Sequence, residues 1–456
     1  LKEIIHIYHT NDLHSHFENW PRIRDFLRKR KQWHKEAEDG VFLFDIGDHV
    51  DRWHPFSEGT LGKGNVELLN EAGFDAVTIG NNEGITFSYE ELNDLYENAK
   101  FDVLLANLYT RDHKLPKWAK PYKIYETKSG CKIGVIGLTA HFAPFYKPLG
   151  WNIYSPMDQL SFWLKELAPQ SDVIVLLSHL GIRDDEWIAG KFKEVDIILG
   201  AHTHHILHEG IEVNGTLLGA GGKHGNYVGH IILEIDAQTK RIASRKAQLY
   251  EQDRLPASVD EGHQVQAWHE KGQELLGGQV VYLESELEAD WFLPSSLPQL
   301  LSDGILEWCE ADCAFLNNGL LLEGLKKGDV TRYDIHRILP HPINPCVITL
   351  TGAEIKEVLK ATRDEELHHL QVKGLGFRGK VMGGFTYSEV SFGKDIQHIY
   401  IRGELIDPHK TYKLATSDMF TFGHFFPELQ RAEKHYFMPE FLRDVLIWKL
   451  NGRGSS

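Results

Sequence analysis

The feature that most constrains this chain is a unit repeated through its first half: a short β-branched run, a polar loop, then a helical stretch. The runs are "IIHIYHT" (4–10), "VFLFDIGD" (41–48), "DAVTIGN" (75–81), "DVLLAN" (102–107), "KIGVIGL" (132–138), "DVIVLLSH" (172–179), "DIILGAHTH" (196–204), "TLLGAGG" (216–222) and "VGHIILEID" (228–236). Helical candidates such as 65–72 and 89–99 lie between them. Runs that are apolar throughout suit strands buried on both faces, and their interleaving with helices predicts a layered α/β fold.

A chain of 456 residues with 42% hydrophobic content can bury two cores. The composition turns polar at "YEQDRLPA" (250–257), and "SVDEGHQVQAWHEKGQELL" then reads as one amphipathic helix introduced by Pro256. We therefore divide the sequence into a first domain over 1–250, a linker helix over 251–278 and a second α/β domain over 279–456. The closing "GRGSS" reads as a frayed tail, and "WCEADC" as a helical turn carrying Cys309 and Cys313 as small buried residues.

The formal charge of −16 repels polyanions and excludes broad binding of nucleic-acid polymers, while small phosphate esters can still be held by local cations. Four cysteines in so long a chain make no disulfide framework. No apolar stretch reaches the ~18 residues of a membrane helix, so no membrane partner is expected. "LKEIIHIYHT" reads as a strand and not a signal peptide. A cytoplasmic location is the expectation, with a processed secretory leader left open by the initial Leu.

Chemistry concentrates at the ends of the runs. "HTNDLHSH" offers Asp12 and His14, "DIGDHVDR" offers Asp48, "GNNEG" offers Asn81, "LLSHLG" offers His179, and "ILGAHTH" offers His202 and His204. Ligand-type residues that end several strands converge on one sheet edge, where open α/β folds place their sites. Four imidazoles, two carboxylates and an amide suit manganese, zinc or iron, and seven donors exceed one tetrahedral ion. Two divalent ions bridged by Asp48 is the reading, with Gly47 allowing the tight turn before it.

The order D-x-H, G-D-x-x-D, G-N-x-E, H, G-x-H-x-H resembles the calcineurin-like dinuclear metallophosphoesterases, and the long second domain resembles the 5′-nucleotidase and UDP-sugar hydrolase family. The resemblance implies a four-layer α/β/β/α catalytic sandwich followed by a C-terminal α/β 5′-nucleotidase-type domain. It implies one metal on Asp12, His14, Asp48 and His204 and another on Asp48, Asn81, His179 and His202. The implied reaction is in-line attack on phosphorus by a hydroxide bridging the metals, on a small phosphate ester such as a nucleotide.

The chain departs from the family at the turn. Where members read Gly-Asn-His-Glu with an Asp two residues later, this chain has Asn82 and Ile85. Asn82 can donate a hydrogen bond but cannot act as a general acid, so substrates with good leaving groups are expected to be favoured. Arg52 could clamp phosphate, His16, His49 or His54 could replace the acid, and Glu83 reads as a partner of the site's backbone. In the second domain, "NNGLLLEG" keeps Asn317, "HPIN" keeps Asn344, and "FGHFFP" replaces the family's Gly-Gly-Asp-Gly-Tyr turn, with Phe420 and Phe426 among the aromatics that could sandwich a base. A phosphodiesterase, and a metal-bearing protein that binds without turnover, stay open as alternatives.

Overall fold

The computed structural model describes residues 2–395 and 397–453. Of the expected tail, Gly452 and Arg453 instead close the last helix, Leu442–Arg453, and 454–456 lie outside the described residues. The chain divides into two compact units, one ending at Gly272 and one beginning at Gln273.

The first unit is built on two sheets. One has seven strands in the order Ile242–Glu251, Tyr227–Asp236, Lys2–Thr10, Gly40–Asp45, Ala76–Val77, Asp102–Leu104, Ala119–Lys120. The other has six, in the order Ile211–Val213, Thr216–Gly219, Ile197–Gly200, Val173–His179, Lys132–Thr139, Tyr122–Glu126. Their facing sides share one apolar core that includes Ile5, Ile7 and Phe44 from the first sheet and Val135, Val175 and Leu177 from the second.

The strand Val173–His179 shows why its run is apolar throughout. Val173, Val175 and Leu177 point into the core between the sheets, while Ile174 and Leu176 point outward under the helices Pro156–Leu167 and Ile182–Lys191. Alternate side chains face opposite sides, so a strand buried on both must be apolar at every position. The helices Trp20–Glu36 and Lys63–Ala72 bury Ile23, Leu27, Val66 and Leu69. With Trp20–Glu36 packed on Gly40–Asp45 of the first sheet, the arrangement is α/β/β/α.

Lys2–Thr10, Gly40–Asp45 and Ala76–Val77 are mutually parallel, as are Val173–His179 and Ile197–Gly200. Parallel strands open at the same edge, so the loops after them meet. The helix Glu261–Leu275 follows, buried only at Gly272, and the division between units falls within its last turn. A Cβ on Gly272 would lie 2.3 Å from Phe56 N, which shows how closely this helix approaches the 55–56 backbone.

The second unit has a five-stranded mixed sheet in the order Phe385–Ser388, Cys313–Asn317, Thr411–Ser417, Pro345–Thr351, Glu433–Tyr436. The helix Ser296–Trp308 packs with Leu442–Arg453. The expected helical turn through "WCEADC" is not formed. The helix ends at Trp308, Cys309 caps it, Glu310 turns the chain at φ 49°, and Cys313 begins a strand. Both thiols are free and buried, and burial raises each to about 12.

Candidate functional site

Beyond Thr10 the backbone enters the left-handed region at Asp12 (φ 50°) and His14 (φ 50°), and it does so again at Asp48 (φ 51°), His202 (φ 73°) and His204 (φ 58°). Non-glycine residues seldom adopt this conformation, and a cluster of them marks a place where tertiary contacts hold local strain. The contacts are visible: Asp12 N donates to Gly47 O (3.0 Å) and His14 N to Asp48 O (2.8 Å), joining the first two loops.

The third loop is pressed against them. Gly47 has φ 85°, and a Cβ there would sit 2.3 Å from Gly80 N; one on Gly80 would sit 2.0 Å from Asp48 Oδ1. Only glycine permits either approach. Glu83, fully inside, accepts from Asp48 N (2.9 Å), Val50 N (2.9 Å) and Gly80 N (2.8 Å), and Asn82 N donates to Asp48 Oδ1 (2.8 Å). Burial first, then the Asp48 charge, pushes the Glu83 carboxyl up to about 7.

Six of the seven expected donors form two groups, Asp12 with His14 and His204, and Asp48 with His179 and His202. Within each group the ligand atoms lie within 4.8 Å of one another. His14 Nε2 is 3.7 Å from Asp12 Oδ1 and 3.6 Å from Asp48 Oδ2, His179 Nε2 is 3.3 Å from Asp48 Oδ2, and His204 Nε2 is 3.4 Å from Asp12 Oδ1. Asp48 Oδ2 thus faces a histidine of each group. Asn81, the seventh, starts the short helix after Gly80, and its Oδ1 is buried without a hydrogen-bond partner.

These atoms fit divalent cations. His14 Nε2 and His179 Nε2 are likewise buried without partners. Their other nitrogens are engaged, His14 Nδ1 with Asp51 Oδ2 (3.0 Å) and His179 Nδ1 with Ile46 O (2.6 Å), the arrangement that fixes a ligating imidazole. Burial would lower both rings, yet Asp12, Asp51 and Asp48 raise His14 to about 10, and Asp48 chiefly raises His179 to about 9. Asp12 is held well below its usual range, against its burial, by His14, His204 and His179. Buried carboxylates this close to one another demand positive charge, and protons supply it where cations can.

The other expected residues are placed as follows. Asn82 Nδ2 is 3.2 Å from His14 Nδ1, beside the donor groups. Arg52 is buried, with Nε bound to Glu58 Oε2 (2.7 Å) and Nη1 to Thr86 O (2.5 Å), so its guanidinium is committed inside the protein and not offered as a phosphate clamp. His49 is buried edge-on against Trp20 at 4.7 Å, and burial holds it at about 3, too low for an acid at neutral pH. His54 caps the helix Pro55–Gly59 through its ring nitrogen. His16 pairs with Glu18 (2.8 Å) and stacks on His224 at 3.8 Å.

In the second unit, Asn317 donates to Met382 O (2.9 Å) with its Oδ1 unpartnered, and Asn344 donates to Glu440 O (2.8 Å). Phe420 and Phe426 are fully buried and pack on each other at 5.2 Å and on Phe315 at 5.4 and 5.8 Å. The expectation that they sandwich a base is corrected: both rings are fully buried among other aromatic side chains and expose no surface to a ligand. Phe422 and Phe425 remain only half-buried.

Sequence reasoning passed over Asp51, Asn11 and His224. Asp51 is the second acid of G-D-x-x-D, so its signal was in the motif. Asn11, which binds Asp12 Oδ2 (2.8 Å) and Gly221 N (3.0 Å), and His224, 5.9 Å edge-on from His14, carry no signal of their own.

Residues 5–205 match the calcineurin-like phosphoesterase family model and 278–426 the 5′-nucleotidase C-terminal domain model. The chain is 43% identical to the uncharacterized metallophosphoesterase YunD of Bacillus subtilis, over 99% of this chain and 100% of that one. Among solved structures it is similar to a candidate 5′-nucleotidase of Staphylococcus aureus in complex with alpha-ketoglutarate (TM-score 0.72, 20% identity, 98% and 96% of the two chains). It is also similar to the NAD nucleotidase of Haemophilus influenzae (TM-score 0.69, 16% identity, 99% and 97%).

Proposed function

Because this chain belongs to the calcineurin-like metallophosphoesterases that carry a 5′-nucleotidase C-terminal domain, a family of phosphate-ester hydrolases, we propose that it cleaves phosphate esters of nucleotides or related small molecules at a site for two divalent cations. The observation that carries the reading is the pair of donor groups, with His14 Nε2, His179 Nε2 and Asn81 Oδ1 buried and unpartnered beside Asp12 and Asp48. Nucleotides as substrates are supported by the names of the similar structures.

Divalent cations supply water activation at neutral pH and neutralise charge on phosphoryl oxygens when bound. The chain's residues supply position. Glu83 ties the second and third loops together through three backbone N–H groups, and Asn82 N fixes one oxygen of Asp48 so that Oδ2 faces both groups. His14 Nδ1–H donates to Asp51 Oδ2, and the Asn82 amide hydrogens beside it are then available to a phosphoryl oxygen. An amide cannot protonate a leaving group, so aryl esters, phosphoanhydrides and cyclic diesters are the favoured substrates.

The test is hydrolysis of p-nitrophenyl phosphate with added Mn²⁺, for the native chain and Asp48→Asn. Turnover that falls by at least ~10²-fold with Asp48→Asn is expected. No turnover in the native chain with Mn²⁺, Zn²⁺ or Fe²⁺ bound would leave a binding protein. Faster cleavage of bis-p-nitrophenyl phosphate than of the monoester would select the phosphodiesterase, and equal rates on alkyl and aryl monoesters would refute the leaving-group argument.

A further inference from the structure

One strand of the second sheet ends without a metal donor. Lys132–Thr139 runs parallel to Val173–His179, and Thr139 stands opposite His179, so residues 140–142 leave the sheet at the edge where the donors gather. The short helix Ala143–Leu149 follows, with Phe142 as its N-cap. It is seated on the turn at Asn81–Ile85: a Cβ on Gly84 would collide with the Tyr146 hydroxyl, so nothing larger than hydrogen fits there. Tyr146 is fully buried and fixes the loop against the turn that carries Asn81 and Asn82.

Anchored in this way, the loop puts Phe142 beside a proposed ligand. Its ring centroid is 5.6 Å from that of His202, with the planes tilted by 59°. His202 lies on the open side of the site. Asp12, Asp48 and His179 are buried, whereas His202 is only partly so and the His204 side chain is 33% exposed. A substrate must therefore come in past His202 and His204. Phe142 is half-buried, so part of its phenyl is left uncovered beside that approach. The rings on the His14 side are committed to one another, His16 stacked on His224 at 3.8 Å and bound to Glu18.

On the reading that phosphate esters are cleaved at the Asp12 and Asp48 groups, we propose that Phe142 determines specificity by packing against an aromatic ring carried on the ester oxygen. Aryl phosphates are thereby selected over non-aromatic phosphates with equally good leaving groups. Leaving-group quality and ring contact are separate demands. Asn82 offers no acid, which favours any good leaving group, whereas a phenyl wall rewards only one with a ring to pack. Aromatic rings in offset or edge-to-face contact gain beyond the area they bury. Phenyl has no donor or acceptor, so the contact reads the ring and not its polar substituents. Phe142 stands against a ligand, so it meets a ring bonded directly to the ester oxygen; a nucleobase lies a ribose further out.

The experiment compares p-nitrophenyl phosphate with acetyl phosphate, which has a good leaving group and no aromatic ring, on the Mn²⁺-loaded native chain, Phe142→Ala and Phe142→Tyr. Phe142→Ala is expected to lower the ratio of kcat/KM for p-nitrophenyl phosphate to that for acetyl phosphate by about 10-fold, through KM, and Phe142→Tyr to restore it. An equal fall on both substrates, or no fall on either, overturns the proposal. If the native chain turns over neither substrate, the hydrolase reading fails and calorimetric binding decides on Phe142. A Kd for p-nitrophenyl phosphate that weakens about 10-fold in Phe142→Ala relative to that for inorganic phosphate upholds the contact, and a parallel change overturns it.

Discussion

Asp51 accepts from His14 Nδ1, and that hydrogen bond turns Nε2 toward Asp12 and Asp48. Asp51→Asn should weaken Mn²⁺ binding by about 10–100-fold, read by calorimetric titration; unaltered affinity would mean that the loop backbone alone sets the ring. Glu83 uses both carboxyl oxygens on backbone N–H groups, so Glu83→Gln points an amide hydrogen at a backbone donor. We expect a loss of about 1–3 kcal/mol in denaturant melts, the usual penalty for an unsatisfied buried group. Asn82→His restores an ionisable group next to His14, and the rate on alkyl relative to aryl monoesters should rise by up to about 10²-fold. Arg52 gives the opposite lesson: a cation in a suggestive motif is spent on Glu58 and Thr86.

One helix offers a test in which two identical substitutions act with opposite signs. In Glu261–Leu275, a Cβ on Gly272 would meet the Phe56 and Pro55 backbone at 2.3 Å, whereas one on Gly262 meets nothing within 4 Å. Gly272→Ala should destabilise by about 1–3 kcal/mol through overpacking, and Gly262→Ala should stabilise by up to about 1 kcal/mol through helix propensity. Equal effects on the thermal midpoint would show that the close approach at Gly272 does not govern this helix. At "WCEADC" helical spacing misled because Cys309 and Cys313 are both apolar and a turn apart, and nothing local announces that Glu310 will adopt a positive φ.

The chain forms two compact units, and their responses to conditions should differ. Ligand that binds only the folded first unit stabilises it by about 2.7 kcal/mol at a hundredfold excess over Kd, so Mn²⁺ should raise that unit's calorimetric transition selectively. In the second unit, His341 is fully buried between Leu320 O (2.7 Å) and Arg378 N (2.8 Å), and burial lowers it to about 3. Its unfolded form takes up a proton near pH 6.5 and its folded form does not, so this unit's stability is intact above 6.5 and falls as the pH drops from 6.5 toward 3. His341→Gln should make that decline shallower; an identical slope would place the acid sensitivity elsewhere. The sequence by itself determined the layers and the edge at which ligands gather, because periodicity is a local property and each donor ends a strand or lies in the loop just after one, among strands whose parallel neighbours open the same way. Tertiary structure alone decided which nitrogen of His14 is engaged, that Phe420 and Phe426 lie in the core, and that His6, His34 and His230 meet. Those outcomes depend on strand register and helix placement between segments far apart in the chain, which no local pattern encodes.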